Sequence, residues 1–196
     1  MSRPSLAARS MGWLVVLVLG AYSLSGPVPR DDEASSLRRL WGPFAGLAAR
    51  VQWVRVHEAM LDGRPDLVWQ RAETAIALDP GATDGYLLLA RHLFFDHASL
   101  NRETEPERRV AWMEAAFGVA ERGEAAARDP GALALWLGLA RIRRAREEGL
   151  GTTAGERAGL LARAAEDFDR AAALGAEEAA ELAQGARRSA ELSSEH

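Results

Sequence analysis

The histidines are the residues whose types and spacing come closest to a metal-binding or catalytic pattern. His57 and the glutamate after it begin like a zinc-protease helix, but Leu61 stands where that motif needs its second histidine. His92 and Asp96, four residues apart, could ligate a metal from one face of a helix. His97 is five residues from His92 and would project about 140° away from it on an α-helix. We therefore expect an ordinary polar helix face here and no metal.

No other motif in the sequence predicts chemistry. The glycine-rich run at 149–155 superficially resembles a dinucleotide-binding loop, but a charged helix precedes it where that motif needs a strand. The run is therefore expected to be a turn between helices. The sequence has no serine elbow and no phosphate-binding loop, and without cysteine it has no thiolate nucleophile or cysteine zinc site. These features predict a protein that is not an enzyme and has no cofactor.

The amino-acid composition limits the classes of molecule that the protein can bind. Hydrophobic residues make up 48% of the 196 residues, which is enough for a folded core. The formal net charge of −4 argues against nucleic-acid binding, because phosphate contacts need a basic surface. All basic side chains are arginine, and together with the abundant alanine and glycine this indicates a GC-rich bacterial genome.

The N-terminus has the pattern of a membrane-targeting segment. Arg3 and Arg9 precede an apolar run at Met11–Leu24, and three carboxylates follow the helix-breaking glycine and proline at positions 26 and 27. Basic residues before an apolar run and acidic residues after it favour an orientation in which the N-terminus stays inside while the rest of the chain crosses the membrane. Extended to Met11–Val28, the run is just long enough to span a bilayer. Residues 1–28 are expected to be an uncleaved signal anchor or, alternatively, a cleaved signal peptide.

The remaining chain reads as antiparallel helices, and one short element recurs. Asp79–Arg91 and Asp129–Arg141 both begin Asp-Pro-Gly-Ala and are identical at 8 of 13 positions. A short element that recurs in the same helical phase is typical of stacked helical hairpins. Apolar periodicity predicts helices at about 44–61, 65–78, 83–97, 106–128, 133–148 and 177–190, with a sixth helix of the series after Thr153. Capping boxes are expected at Thr104 with Glu107 and at Thr153 with Glu156.

This pattern resembles the tetratricopeptide repeat family. That family places small or aromatic residues at three set positions of the second helix and a proline five residues on. The matching residues are Val68, Ala72, Ala75 and Pro80, and then Ala164, Phe168 and Ala171, with Ala176 in the proline slot. The middle copy fits less well, with Gly118, Arg122, Ala125 and Pro130. The intervals of 50 and about 46 residues exceed the family's usual 34, which implies lengthened helices. A generic antiparallel helical bundle is the alternative.

The resemblance implies an all-α solenoid of about three hairpins with a C-terminal capping helix, following the N-terminal apolar anchor helix. It implies a linker at 29–43, a repeat domain at 44–192 and a disordered tail at 193–196. It also implies a groove lined by the first helices of the hairpins. The groove residues implied by helical phase are Arg50, Trp53, His57, Leu87, Arg91, Phe94, Leu137, Arg141 and Arg144.

A groove that contains arginines together with aromatic residues predicts a protein partner. The bound segment would be an acidic peptide or helix, or one that ends in a C-terminal carboxylate. Arg91 and Arg141 could instead be solvated or paired with acidic neighbours. We expect a scaffold tethered in a bacterial inner membrane through Met11–Val28, single-pass, with its C-terminal domain in the periplasm or exterior, or else secreted after cleavage. The alternatives are a structural subunit of an envelope complex that uses its outer face, with Trp69 and Trp112, and an enzyme with an unrecognised site.

Overall fold

A computed structural model describes residues 31–194, with side chains from residue 36 onward. All regular structure in this range is helical, as the sequence predicts, and no strand occurs in it. The helices are α1 (Asp31–Trp41), a 3₁₀ turn (Gly42–Phe44), α2 (Ala45–Leu61), α3 (Pro65–Leu78), α4 (Thr83–Arg91), a π-helix (His92–His97), α5 (Pro106–Ala126), α6 (Pro130–Arg146), α7 (Ala154–Ala173) and α8 (Ala179–Ser194). The chain divides into two compact units, which meet in sequence between Pro80 and Gly81.

The first unit consists of α1, α2 and α3 among the described residues. Leu37 and Trp41 of α1 pack against small residues of α2 and against Leu78 of α3. The stretch expected to be a linker is therefore helical from Asp31 onward, and the linker prediction is wrong for that part. The two residues are four apart and therefore share one helix face.

The second unit contains two hydrophobic clusters between its last three helices. Phe168 of α7 is fully buried among alanines of α6, α7 and α8. It fits because α6 has Gly138 opposite its ring, where an added Cβ would lie 2.5 Å from Phe168 Cε1. A smaller cluster joins Leu160 and Leu161 of α7 to Ala145 of α6. Small residues on α6 and α8 thus let these helices approach α7 closely.

The segments around the two Asp-Pro-Gly-Ala copies are in contact from Gly81 onward but do not start their helices alike. The Arg128 backbone N–H donates to the Gly81 carbonyl at 3.1 Å, and the Asp129 N–H donates to Thr83 Oγ1 at 3.1 Å. In the second copy Asp129 caps α6 by accepting from the Ala132 N–H, so that helix begins at the adjacent proline. In the first copy the helix begins only at Thr83, without a side-chain cap.

One of the two predicted capping boxes is confirmed. Thr153 Oγ1 accepts from the Glu156 N–H at 3.2 Å, and the Glu156 carboxylate accepts from the Thr153 N–H at 2.8 Å. The bond from the Thr153 N–H, and a second one that the Thr153 hydroxyl donates to the same carboxylate, lower the pKa of Glu156. The box at Thr104 is wrong, because Pro106 occupies the first position of α5 and leaves position 105 as the N-cap.

The C-terminal helix α8 has the thin apolar face expected of a terminal element. Its buried residues are Ala179, Ala183 and Ala186, and Leu182 is largely exposed. The helix continues to Ser194, so the tail expected to be disordered from position 193 is helical for two residues more.

The predicted anchor at Met11–Val28 lies outside the described residues. Within residues 31–194, none of the helices combines the length and the apolar character needed to cross a bilayer.

Candidate functional site

Arg141, predicted to face a partner, is instead the centre of a buried ion network in the second unit. It is 7% exposed and donates to the carboxylates of Asp167 on α7 and Glu121 on α5, the latter at 2.6 Å. Arg170 on α7 donates to the second oxygen of Asp167 at 2.6 Å and to Glu124 at 2.8 Å. The interpretation of Arg141 as paired with acidic neighbours is therefore the correct one.

This network joins α5 and α7 through Arg141 of α6. Glu121 and Asp167 are separated by the same interval of 46 residues that relates the repeat positions of α5 and α7. One arginine on α6 thus holds corresponding carboxylates of both helices. Burial raises the pKa of the Asp167 carboxyl, although Arg141 and Arg170 both oppose that shift by donating to it. The pKa of Arg170 is raised by its hydrogen bonds to Glu124 and Asp167.

Three further residues of the predicted groove also lie in or against the interior. Leu137 is fully buried and Phe94 is 3% exposed, packed against the rings of Phe117 and Trp136. Arg144 is partly buried over the Phe117 ring and pairs with a carboxylate on α5. Leu137 and Phe94 are thus wrong as partner-contacting residues in this structure, because their side chains build the core between α4, α5 and α6.

The exposed face of α4 and the π-helix lies beside the predicted positions. Arg91 is exposed as expected, Leu87 is partly buried, and the large apolar side chains that reach solvent are Leu88 (37% exposed) and Phe95 (48% exposed). Residues 88 and 91 are three apart and share a helix face. Of the predicted groove residues on this face, Arg91 is therefore exposed, and Leu88 and Phe95 are exposed apolar side chains that were not predicted.

A similar exposed set lies on α6. Leu139 is 48% exposed, Arg143 is exposed, and Trp136 is partly buried. Helices α4 and α6 contact each other, and the Phe94 ring lies 5.1 Å from that of Phe95 and 6.0 Å from that of Trp136. Phe94 itself is buried, so this ring contact joins the two helices through their interior. We call the two exposed sets together the aromatic–arginine face, defined by Leu88, Arg91, Phe95, Trp136, Leu139 and Arg143.

The repeat alignment could not have located this face. Leu89 and Leu139 are equivalent in the sequence repeat, yet Leu89 is fully buried and Leu139 is half exposed. Arg91 and Arg141 are likewise equivalent, but only Arg91 is exposed. A repeated sequence gives the same helical phase, whereas the neighbouring helices decide which side of that helix is covered.

The remaining predicted groove residues belong to the first unit. Arg50 and His57 are exposed on α2, and Trp53 is partly buried with its indole Nε1 enclosed and without a hydrogen-bond partner in the structure.

The π-helix corrects the expectation for His92 and His97. The Ala98 N–H donates to the Leu93 carbonyl, an i to i−5 bond that brings residues five apart onto one side. The two imidazoles therefore lie with centroids 4.8 Å apart, and the His97 ring also packs on Trp112 at 4.7 Å. His92 Nδ1 bonds the Asp96 carboxylate at 2.6 Å.

The electrostatics of this histidine cluster favour a neutral His97. Burial lowers its pKa, and His92 and Arg102 add to the shift while Asp96 opposes it. Among the described residues, no three histidine, aspartate, glutamate or cysteine side chains are grouped so as to hold a metal ion. The cluster is accordingly a packed polar contact between the π-helix and α5.

Comparison of the chain with family models, with curated proteins and with solved structures finds no match.

Proposed function

We propose that the protein is a non-catalytic interaction scaffold of tetratricopeptide-like design, which holds a segment of a protein partner on the aromatic–arginine face. The observation that carries this proposal is the joint exposure of three large apolar side chains, Leu88, Phe95 and Leu139, next to exposed arginines on two contacting helices. Apolar anchors beside arginine form the usual composition of an interface centre.

The packing of the second unit supports a repeat architecture. Helix α4 contacts α6, and carboxylates at equivalent positions of α5 and α7 share Arg141. Contacts between successive first helices, and between successive second helices, are what a stacked array of hairpins needs to build one interior. In such an array the first helices are neighbours, and the exposed residues lie on two of them, α4 and α6.

The charge of the face favours an acidic partner segment. Arg91 and Arg143 are both exposed, and Arg143 has only a long 3.3 Å contact from its Nε to Glu147 on its own helix. A planar guanidinium binds carboxylates with two parallel hydrogen bonds, and the aromatic side chains supply contact area. The partner is therefore an extended peptide or helix with acidic side chains, or one that ends in a carboxylate.

The N-terminal segment gives the scaffold its place in the cell. Met11–Val28 tethers it to a bacterial inner membrane, with the helical units on the periplasmic or exterior side. In the alternative function as a structural subunit, Trp69 would form the contact, since it is 37% exposed on α3. Trp112 fits that role less well, because its ring is stacked on His97.

Site-specific photocrosslinking in cells tests the scaffold function. A photoreactive amino acid is placed in the full-length chain at Phe95, at Leu139, at Trp69 or at Arg163, an exposed control position on α7. We expect discrete protein adducts from positions 95 and 139 and none from 163. Adding Arg91→Glu should abolish those adducts, whereas Arg163→Glu, the same charge change on another helix, should leave them unchanged.

The other outcomes contradict the proposal in different ways. Adducts confined to position 69 would favour the structural subunit and reject the aromatic–arginine face. Adducts that persist in full with Arg91→Glu would show that the arginine does not recognise the partner. Circular dichroism of both variants should show unchanged helicity, because Arg91 and Arg163 are exposed.

A further inference from the structure

The first unit carries an exposed apolar face that its own packing does not use. Helix α2 buries Ala45, Ala48, Ala49, Gln52, Val56 and Ala59 on one side. On the other side of α2, on the 3₁₀ turn before it and at the end of α1, large apolar side chains reach solvent. They are Leu40 (70% exposed), Phe44 (52%), Leu47 (62%), Val51 (43%) and Val54 (61%). We call this surface the basic apolar face for the charges that surround it.

The charges within the stretch that forms this face are basic, up to Glu58 at its C-terminal end. Residues 36–57 contain four arginines, at positions 38, 39, 50 and 55, and no carboxylate. At about 100° per residue, Arg50 and Arg55 fall on opposite edges of the Leu47–Val54 stripe. Glu33 is the nearest carboxylate before this stretch, and Glu58, exposed and four residues after Val54, marks the C-terminal end of the stripe. An apolar centre with cationic edges is typical of a helix that lies in the interface of an anionic bilayer.

A second copy of the chain does not fit this face. Phe44, Leu47, Val51 and Val54 have the 3-4-3 spacing of a coiled-coil seam. In that register Arg50 and Arg55 occupy the two flanking positions, where a stable pair needs opposite charges. Two copies would bring arginine against arginine in either orientation, which opposes pairing.

The position of the face in the chain also favours a membrane. The apolar run that ends at Leu24 is separated from the start of α1 by six residues, which span about 20 Å at most. With that run in a bilayer, α1 and α2 begin near its surface. This step uses the proposed anchor, whereas the exposure and charge of the face are independent of it and of the partner surface in the second unit.

We propose that the basic apolar face docks on the surface of an anionic lipid bilayer. Leu47, Val51 and Val54 enter the headgroup boundary, and Arg50 and Arg55 contact lipid phosphates from its edges. The first unit is then held against the membrane by a second contact besides the N-terminal segment.

A single-cysteine label tests this directly, because the chain contains no cysteine. Full-length protein carrying Val54→Cys is labelled with a polarity-sensitive fluorophore and mixed with vesicles of 70% phosphatidylcholine and 30% phosphatidylglycerol containing spin-labelled lipid. We expect a blue shift and quenching of the label at position 54. Asp66→Cys on the exposed surface of α3 is the matched control and should show neither.

Charge variants and a positive control make the test decisive. Arg50→Glu with Arg55→Glu, checked for unchanged helicity, should weaken quenching at position 54 by at least about 25-fold in apparent affinity, since each arginine near an anionic surface contributes about fivefold. Vesicles of phosphatidylcholine alone should give little quenching. A label at Leu17→Cys reports insertion of the N-terminal segment separately.

Several results would overturn the proposal. Position 54 would stay in water while Leu17 is quenched if the face contacted a protein instead. A blue shift without vesicles that grows with protein concentration would identify a second copy as the occupant. Equal quenching at positions 54 and 66, or no quenching at any position with these vesicles, would show that the face has no lipid affinity of its own.

Discussion

The side chain of Arg141 has hydrogen-bond partners on both α5 and α7. Its guanidinium lies 5.3 Å from the centre of the Phe117 ring and donates to Asp167 and Glu121. Asp167 is 1% exposed, so its charge depends on the two arginines that donate to it. Removing one partner of a buried ion pair leaves the other charge poorly compensated, and this costs more than the intact pair contributes.

We expect Arg141→Met to lower the free energy of unfolding by about 3 kcal/mol, the lower end of the usual range because Arg170 still holds Asp167. The measurement is urea unfolding followed by circular dichroism. Arg143→Met, on the exposed side of the same helix, is the control and should change stability by about 0.5 kcal/mol or less. Equal stabilities of the two variants would mean that the buried network is not formed in solution.

The pH dependence of stability should show the raised pKa of Asp167. With a folded pKa above its ordinary value of 3.8, the native state holds this proton more tightly than the unfolded chain does. The stabilising contribution of this carboxyl is complete below pH 3.8 and is lost as the pH rises through the folded value. We therefore expect the unfolding free energy of the wild type, minus that of Asp167→Asn, to fall from about pH 4 upward. A difference that rises with pH would mean the pKa is lowered instead.

For single residues, the sequence indicated which positions have a particular role, but it did not show what that role is. It singled out Arg91 and Arg141 together, because they occupy the same repeat position. The two arginines differ only in the helices that surround them, because the partners of Arg141 lie 20 and 26 residues away along the chain. A single sequence does not show such long-range pairs.

Among the elements, α6 and α7 illustrate how close packing depends on one small residue. The Phe168 ring occupies the space that a side chain at position 138 would take, with three ring atoms 2.5–2.8 Å from an added Cβ. The ring is fully buried, so it has little room to move aside.

We expect Gly138→Ala to destabilise the protein by about 1–2 kcal/mol, because overpacking outweighs the better helix propensity of alanine. Gly159→Ala provides the matched control in α7, where an added Cβ meets nothing within 4 Å. That control should be stabilising by about 0.5–1 kcal/mol. Thermal and urea unfolding of both variants measure the difference, and a stabilising Gly138→Ala would contradict the described contact between α6 and α7.

Element boundaries followed from the sequence where proline or a cap defines them. The starts of α3 and α5 at Pro65 and Pro106, and of α7 after Thr153, agree with the pattern. The π-helix was not predictable, because periodicity assumes 3.6 residues per turn throughout. Helix α1 was missed because its apolar residues, Leu37 and Trp41, are few and gain their role only by packing on α2 and α3.

For the whole molecule, the division into two units has a direct consequence for folding. The second unit has its own hydrophobic clusters and its own ion network, all within residues 81–194. Its first residues are also fixed internally, since Gly81 accepts a hydrogen bond from Arg128. A unit with its own core is expected to fold without the rest of the chain.

We expect the fragment 81–196 to be helical and to unfold cooperatively on its own. Circular dichroism during heating measures both properties. Introducing Gly138→Ala into the fragment serves as the control and should lower its midpoint as it does in the full chain. A gradual, non-cooperative loss of helix signal would show that the second unit needs residues before Pro80.

The all-helical class was predictable from the sequence because periodic apolar positions recur over most of its length. The candidate site was predictable only in part. Arg91 is retained, but Phe94, Leu137 and Arg141 are interior residues, and the exposed Phe95 and Leu139 follow from tertiary packing alone.

The shared guanidinium of Arg141 limits how this chain can change by duplication. A hairpin inserted between α5 and α7 would separate Glu121 from Asp167, and the arginine would keep only one of its two carboxylates. Internal copying at that point would therefore produce a weaker protein, whereas extension after α8 would leave the pair intact.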